Sequence, residues 1–241
     1  MKGPSLHIEG RAAIDGEAVF GPLSLDARGG GVTCLLGPSG VGKSTLLRLI
    51  AGLAPYVSFD GRITCGDGEQ AAPRASFIQQ SDMLLPWADV LANVTIGKRL
   101  RGEKADTEKA QGLLAEVGLS GFEHRFPNTL SGGQRQRVAL ARTLMEERPI
   151  VLLDEPFSAL DIKTRHGMQA LALRILAGKT VLLVTHDPGE AARLADDVAI
   201  MGVAGVKMIS APASPTPRPT DGADTIAFAA QLTAAMMREA A

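Results

Sequence analysis

Three glycines, a lysine and a serine recur in one short run, Gly37-Pro38-Ser39-Gly40-Val41-Gly42-Lys43-Ser44. The pattern is G-x-x-x-x-G-K-[ST], and its chemistry is anion binding. Glycines allow the tight turn that points successive backbone N–H groups at one ligand. A helix beginning near Lys43 adds the positive end of its dipole. Lys43 then supplies a point charge to the β- and γ-phosphates of a nucleotide, and Ser44 a hydroxyl to magnesium.

Other stretches could work on the same ligand. Ile150-Val151-Leu152-Leu153-Asp154-Glu155 is an apolar run ending in two carboxylates. Read alone, such an end is a solvated edge. With a glycine loop upstream, Asp154 becomes a magnesium ligand and Glu155 the group that orients and deprotonates an attacking water. Leu130-Ser131-Gly132-Gly133-Gln134 opens a helix carrying Arg135, Arg137 and Arg142. Its small residues fit either a helix cap on Ser131 or a second anion site. His186 follows the apolar run 180–184 and would stand beside the acidic end if the two strands are neighbours.

The elements that must position these groups follow from periodicity. Residues 32–36 form a short apolar run that reads as a buried strand. Leu46, Leu47, Leu49, Ile50 and Leu53 then recur at helical spacing. Strand, glycine loop and helix in that order are the context a phosphate cradle requires. Residues 1–31 read as short strands broken by Gly16, Gly21 and Pro22. Residues 54–80 carry turns at Asp60-Gly61 and 66–68, then a strand at 75–78. Helices are expected over 89–100, 106–117, 134–147, 163–176 and 188–195, and strands over 150–153, 180–184, 198–201 and 206–209. The fold class is therefore α/β, a mostly parallel core with an N-terminal antiparallel β lobe and an inserted helical subdomain at about 84–147. A cassette spans 1–210, and 211–241 is a proline-rich linker followed by a helix from 223 to 241, expected to dock on the body.

Bulk composition excludes several classes. Of 241 residues, 45% are hydrophobic and 21% charged, near globular averages. The 25 basic and 26 acidic residues nearly cancel. That argues against nucleic acid as a partner. The two cysteines, Cys34 and Cys65, make no disulfide framework or metal-ligand spacing and fit the cytosol. The first ten residues lack the apolar core of a signal peptide, and no apolar run is long enough to span a membrane.

Taken together, these motifs resemble those of the ATP-binding subunits of ABC transporters, over nearly all of residues 5–210. The family's Walker A loop corresponds to Gly37 through Thr45. Its Walker B strand corresponds to Ile150 through Asp154, with Glu155 as the catalytic base. The signature sequence is Leu130 to Gln134, and Ser158-Ala159-Leu160-Asp161 resembles the D-loop. His186 resembles the switch histidine, and Gln80 the glutamine that touches magnesium and the attacking water. The resemblance implies a P-loop NTPase core using ATP and magnesium. Two copies, or a pair of related subunits, would sandwich ATP between the Walker A loop of one and Ser131, Gly132, Gly133 and Gln134 of the other.

It also implies membrane permease subunits docked on residues 84–130, a solute-binding protein, and a peripheral place on the cytoplasmic face of the cell membrane. The family often stacks adenine on an aromatic residue upstream of the loop; no Tyr or Trp is there, Phe20 sits close to the first strand pair, and Ile14 stands in that place. Tyr56 is expected to be structural. Leu84-Leu85-Pro86-Trp87 is similar to importers of sulfonates, nitrate or thiamine precursors, although Trp87 also fits a local packing anchor. An exporter or lipoprotein-release subunit is the alternative within the class. Machines acting on nucleic acid or ribosomes carry two cassettes or a long coiled coil, neither of which is found. A sensor without turnover would lack Glu155 or His186.

Overall fold

The computed structural model describes residues 2–203 and 205–239. The chain forms two compact units. The first takes the chain up to Phe77, then Pro149–Glu155, and then everything from Leu176. The second takes Ile78–Arg148 and Pro156–Ile175.

In the first unit, β1 (Leu6–Ile14) and β2 (Glu17–Ala27) form a hairpin. Its turn residues Asp15 and Gly16 both take positive φ, 50° and 86°. That is the pairing a tight two-residue hairpin needs. β3 (Val32–Leu36) leads through the glycine loop into α1 (Lys43–Ile50), and β4 (Ser58–Cys65) returns to pair with β1. β5 (Ala75–Ile78) closes this part of the chain.

The second unit is helical: α2 (Val90–Leu100), α3 (Thr107–Glu116), α4 (Gly132–Met145) and, after a return to the first unit, α5 (Ile162–Ile175). Asp89, Asp106 and Ser131 cap the first three through their side chains. Val90, Val94, Leu114, Val138 and Met145 form its core, with Leu171 and Ile175 of α5 packed against it.

Back in the first unit come β6 (Ile150–Asp154), β7 (Thr180–Val184), α6 (Pro188–Leu194), β8 (Asp197–Gly202), β9 (Gly205–Ser210) and α7 (Ala223–Glu239). One sheet is three-stranded, β2-β1-β4, and antiparallel. The other runs β5-β6-β7-β3-β8-β9. In it β6, β7, β3 and β8 are parallel, and β9 turns back antiparallel on β8. β6 and β7 are buried at every position, as strands covered on both faces must be. Register matters most at their ends. Val184 pairs with Leu35 on one side and Asp154 on the other. Three strands thus release their loops at one carboxyl edge, where open α/β sheets bind ligands.

Several expectations need correction. Residues 1–31 hold two long strands instead of short ones. Gly21 and Pro22 lie inside β2, where the register shifts between Gly10 and Ala12 of the partner strand. β2 is an edge strand, so a residue without an N–H is tolerated there. Asp60-Gly61 is no turn but the middle of β4, with Gly61 opposite Gly10. A Cβ on Gly61 would meet Glu9 O and Gly10 Cα, so the glycines permit a close strand approach. The antiparallel lobe also borrows β4 from beyond the glycine loop. Tyr56 is 54% exposed and meets Arg48, whose Nη1 lies 3.5 Å from its hydroxyl, and Trp87 is 75% exposed, so of its two readings the buried packing anchor is the one set aside. The tail helix does dock on the body. Phe228, Leu232 and Ala235 are buried, and α7 packs on α6 and β8. Residues 240 and 241 of the expected helix lie outside the described residues.

Candidate functional site

The first unit brings together the glycine loop, Asp154, Glu155 and His186. Gly37, Gly40 and Gly42 have φ of 153°, 83° and 100°, a region that side chains resist. A Cβ on Gly37 would run into Met201 O. One on Gly42 would stand 2.9 Å from Phe20 Cδ1 and 3.0 Å from Val19 Cγ1. Both glycines are therefore required twice, by conformation and by space. Pro38, Ser39 and Val41 fill the turn between them.

Gly42 precedes α1 with no side-chain cap, and no acidic residue lies in the first turn. The opening N–H groups at Lys43, Ser44 and Thr45 consequently have no carboxylate or hydroxyl cap, and the positive dipole end is not offset. That is the state in which a helix start accepts an anion. Lys43 is 7% exposed. Its Nζ donates to Gly37 O at 2.8 Å and Pro38 O at 2.7 Å. Burial lowers its pKa, while Glu155 and Asp154 pull the other way. A buried amine held at the mouth of an N–H-lined loop fits a polyphosphate.

At the foot of the loop Ser44 Oγ donates to Asp154 Oδ1 at 2.9 Å. Burial raises the Asp154 carboxyl above its ordinary range. The Ser44 hydrogen bond lowers it, and the neighbouring Glu155 charge raises it again. A hydroxyl beside a carboxylate is an oxygen-only donor pair of the kind magnesium takes. Among the described residues no group of three or more His, Cys, Asp or Glu could hold a metal. The pair would need phosphate oxygens and water to complete a shell, which is how magnesium is commonly held.

Glu155 follows Asp154 with φ of 46°. Its N–H donates to Val184 O at 3.0 Å. A glutamate in the left-handed region is strained by about 1 kcal/mol or more, and such strain clusters at functional sites. His186 Nδ1 lies 3.2 Å from Glu155 Oε2. The juxtaposition expected if the two strands were neighbours is thus observed. Behind the histidine, Thr185 Oγ1 accepts from Asp187 N at 3.1 Å. Asp187 in turn caps α6 by accepting from Gly189 N at 2.8 Å and Glu190 N at 3.3 Å.

The remaining candidates belong to the second unit. Gln80 is exposed. Ser131 makes a full capping box: Gln134 N donates to its Oγ at 3.3 Å, and its own N–H donates to Gln134 Oε1 at 2.9 Å. The cap, one of the two readings of this stretch, is therefore present. Gly132 is exposed, whereas Gly133 is buried, and a Cβ there would stand 2.7 Å from Thr164 Cγ2 of α5. Two of the arginines carried by this helix have a role that the sequence did not reveal. Arg135 Nε donates to Asp82 Oδ2 at 2.9 Å. Arg142 donates to Met83 O at 2.8 Å and Asp82 O at 2.7 Å. They clamp the segment just after Gln80, in which Met83 has φ of 49°. A run of arginines along one helix was the available signal.

The second unit also has an open groove of about 630 Å³ lined by Leu85, Trp87, Ile96, Leu100 and Phe126 among others. Leu100 is 80% exposed.

Comparison with known proteins gives consistent findings. The family model described as ABC transporter matches residues 20–158. An aliphatic sulfonates import ATP-binding protein of Rhodococcus jostii is 47% identical over 190 residues, covering 78% of this chain and 75% of that one. A taurine import ATP-binding protein of Pseudomonas fluorescens is 46% identical over 191 residues, covering 77% and 72%. Among solved structures, an ATP-binding cassette of an ABC transporter in its ADP conformation superposes with a TM-score of 0.75. It is 25% identical and covers 87% of this chain and 91% of that one.

Proposed function

Because the chain belongs to the ABC transporter family, as an ATP-binding subunit that serves ATP-driven transport of a small solute, we propose that it powers import of a sulfonate or related small oxyanion. The relatives named for sulfonate and taurine import support that cargo class. The observation that carries the catalytic reading is the Glu155–His186 pair at 3.2 Å, next to Asp154 and its bond from Ser44.

In this reading the backbone N–H groups of Ser39 through Thr45 and the Lys43 amine bind the phosphates of ATP, with Gly37 and Pro38 shaping the turn. Magnesium would be held by Ser44, Asp154 and Gln80, and would supply positive charge to the phosphate oxygens. Glu155 accepts the proton of the attacking water. His186 holds the glutamate in place from one side. Two copies, or this chain and a related subunit, close so that Ser131, Gly132, Gly133 and Gln134 of one cover the phosphates bound by the other. Closure and reopening is a two-state cycle that a membrane partner can follow.

Permease subunits dock on the helical unit, whose groove at Trp87, Leu100 and Phe126 offers apolar surface for them. Such a patch marks a binding face. A solute-binding protein delivers the cargo from the far side. The subunit sits peripherally on the cytoplasmic face with its permease partners; among the described residues no helix is long and apolar enough to cross a membrane.

The test is uptake into vesicles carrying the chain together with its cognate permease subunits. ATP-dependent accumulation of taurine or an alkanesulfonate, abolished by Lys43→Ala, is the expected result. Uptake of an unrelated solute class, with sulfonates ignored, rejects the cargo.

A further inference from the structure

The tail beyond β9 lies outside residues 20–158, which the family model matches, and one side chain ties it down. Arg218 is 2% exposed, although its guanidinium carries a full charge. Its Nη1 donates to Ala192 O at 2.9 Å and Ala195 O at 2.8 Å. Its Nη2 donates to Pro212 O at 2.6 Å and its Nε to Ser214 Oγ at 3.2 Å. The backbones interlock as well, since Arg218 N donates to Arg193 O at 2.9 Å and Arg193 Nε to Arg218 O at 3.2 Å.

Ala192 and Ala195 present carbonyls from the C-terminal end of α6, which lack partners inside the helix. A cation is favoured there by the helix dipole. Removing it would leave several buried carbonyls without donors at once. α7 packs along the same helix.

The other end of α6 is the site. Asp187 caps its first turn, and the preceding residue is His186, 3.2 Å from Glu155. Seven residues, or roughly 10 Å of helix, separate the two ends. We infer that Arg218 is a positioning residue for ATP turnover: by gripping the C-terminal carbonyls of α6 it fixes the helix whose N-terminal cap sets His186 against Glu155. This rests on the reading of Glu155 and His186 as the catalytic pair.

The test compares the full chain with Arg218→Met, with His186→Ala, and with Ile8→Ala, a buried β1 substitution that destabilises without touching α6. Steady-state ATPase kinetics and amide hydrogen exchange of the nucleotide-free protein are the readouts. Arg218→Met should lower kcat by about tenfold with KM little changed. It should also raise exchange across residues 186–195 by about tenfold while β1 and β2 exchange as before. Ile8→Ala, measured below its melting range, should keep its kcat.

Wild-type kcat and exchange in Arg218→Met beside an inactive His186→Ala overturn the inference alone. Equal kcat losses in Arg218→Met and Ile8→Ala also overturn it. Normal turnover in His186→Ala instead rejects the catalytic pair. If Arg218→Met does not accumulate folded, Arg218→Lys keeps the charge but cannot span the carbonyls. It should show a smaller kcat deficit at unchanged KM, and wild-type kcat in it overturns the inference.

Discussion

Ser44 and Asp154 lie 110 positions apart in the chain, and the hydroxyl of one donates to the carboxylate of the other over 2.9 Å. The bond joins the start of α1 to the end of β6 and supplies a donor to a carboxylate whose residue is 5% exposed. Ser44→Ala removes that donor and leaves Asp154 buried. The nucleotide-free chain should lose about 1–2 kcal/mol of stability by urea denaturation. With Asp154→Ala added, the double variant should lose less than the sum of the two singles, by about 1 kcal/mol. Strict additivity would show that the two groups do not support each other.

Glu155 has both a strained backbone and a histidine partner. Glu155→Gln keeps size and conformation but cannot accept a proton. Turnover should fall by about 10²–10⁴-fold, the usual contribution of a general base. ATP affinity by calorimetry should stay close to wild type. A paired, ATP-loaded state should then persist long enough to be seen by light scattering. Turnover at the wild-type rate would remove Glu155 from the role of base.

Most of this site could be seen in the residues beforehand, for a physical reason. The glycine loop, the acidic strand end and His186 are each set by local backbone demands that leave a pattern in sequence. Ranges for β3, β5 and β7 came out to the residue, for β3 and β7 because buried parallel strands are short, mostly apolar runs, and for the edge strand β5 because turns bound it. The antiparallel lobe was harder. Gly61 resembles a turn residue, and its use as a crossing point against Gly10 depends on a strand about fifty residues away. Arg218 left no sequence signal, because its partners are backbone carbonyls that any residue could provide. The exposure of Tyr56 and Trp87 was not legible for a related reason. An aromatic residue looks the same whether it fills a core or faces outward.

Trp87 is the single tryptophan and is 75% exposed on the helical unit. Trp87→Asp removes little buried surface, so stability should change by less than about 0.5 kcal/mol. ATPase activity of the isolated chain should be unchanged. Association with the permease in detergent should weaken at least tenfold if the groove is the docking face, since desolvated aromatic anchors dominate such interfaces at about 2 kcal/mol or more. Indole emission offers a direct reading. It should lie at the wavelength of solvated tryptophan in the free chain and shift to the blue when the permease binds. No shift in a complex that forms normally would move the docking face elsewhere.

Cys34 is fully buried in β3, directly before the glycine loop. Burial pushes its thiol well above the ordinary 9.0, with Glu190 and Asp196 adding in the same direction and Arg218 opposing. The sign of the linkage follows. Above pH 9 the unfolded chain gives up this proton while the folded chain keeps it, so the folded state binds more protons and stability falls as pH rises. Between pH 9 and 10 the loss attributable to this thiol should be about 1 kcal/mol. Other groups also titrate in that range, so the measurement is the difference between the wild-type and Cys34→Ala slopes in chemical denaturation. Cys34→Ala should start less stable from its cavity but lose less over this interval. The same burial predicts that neither Cys34 nor Cys65 reacts with a thiol reagent at pH 8 in the native chain, and that both react in denaturant. Parallel pH slopes for the two chains would show that burial does not raise this thiol, and prompt labelling of Cys34 in the folded protein would show that β3 opens beneath the nucleotide loop on the timescale of the reagent.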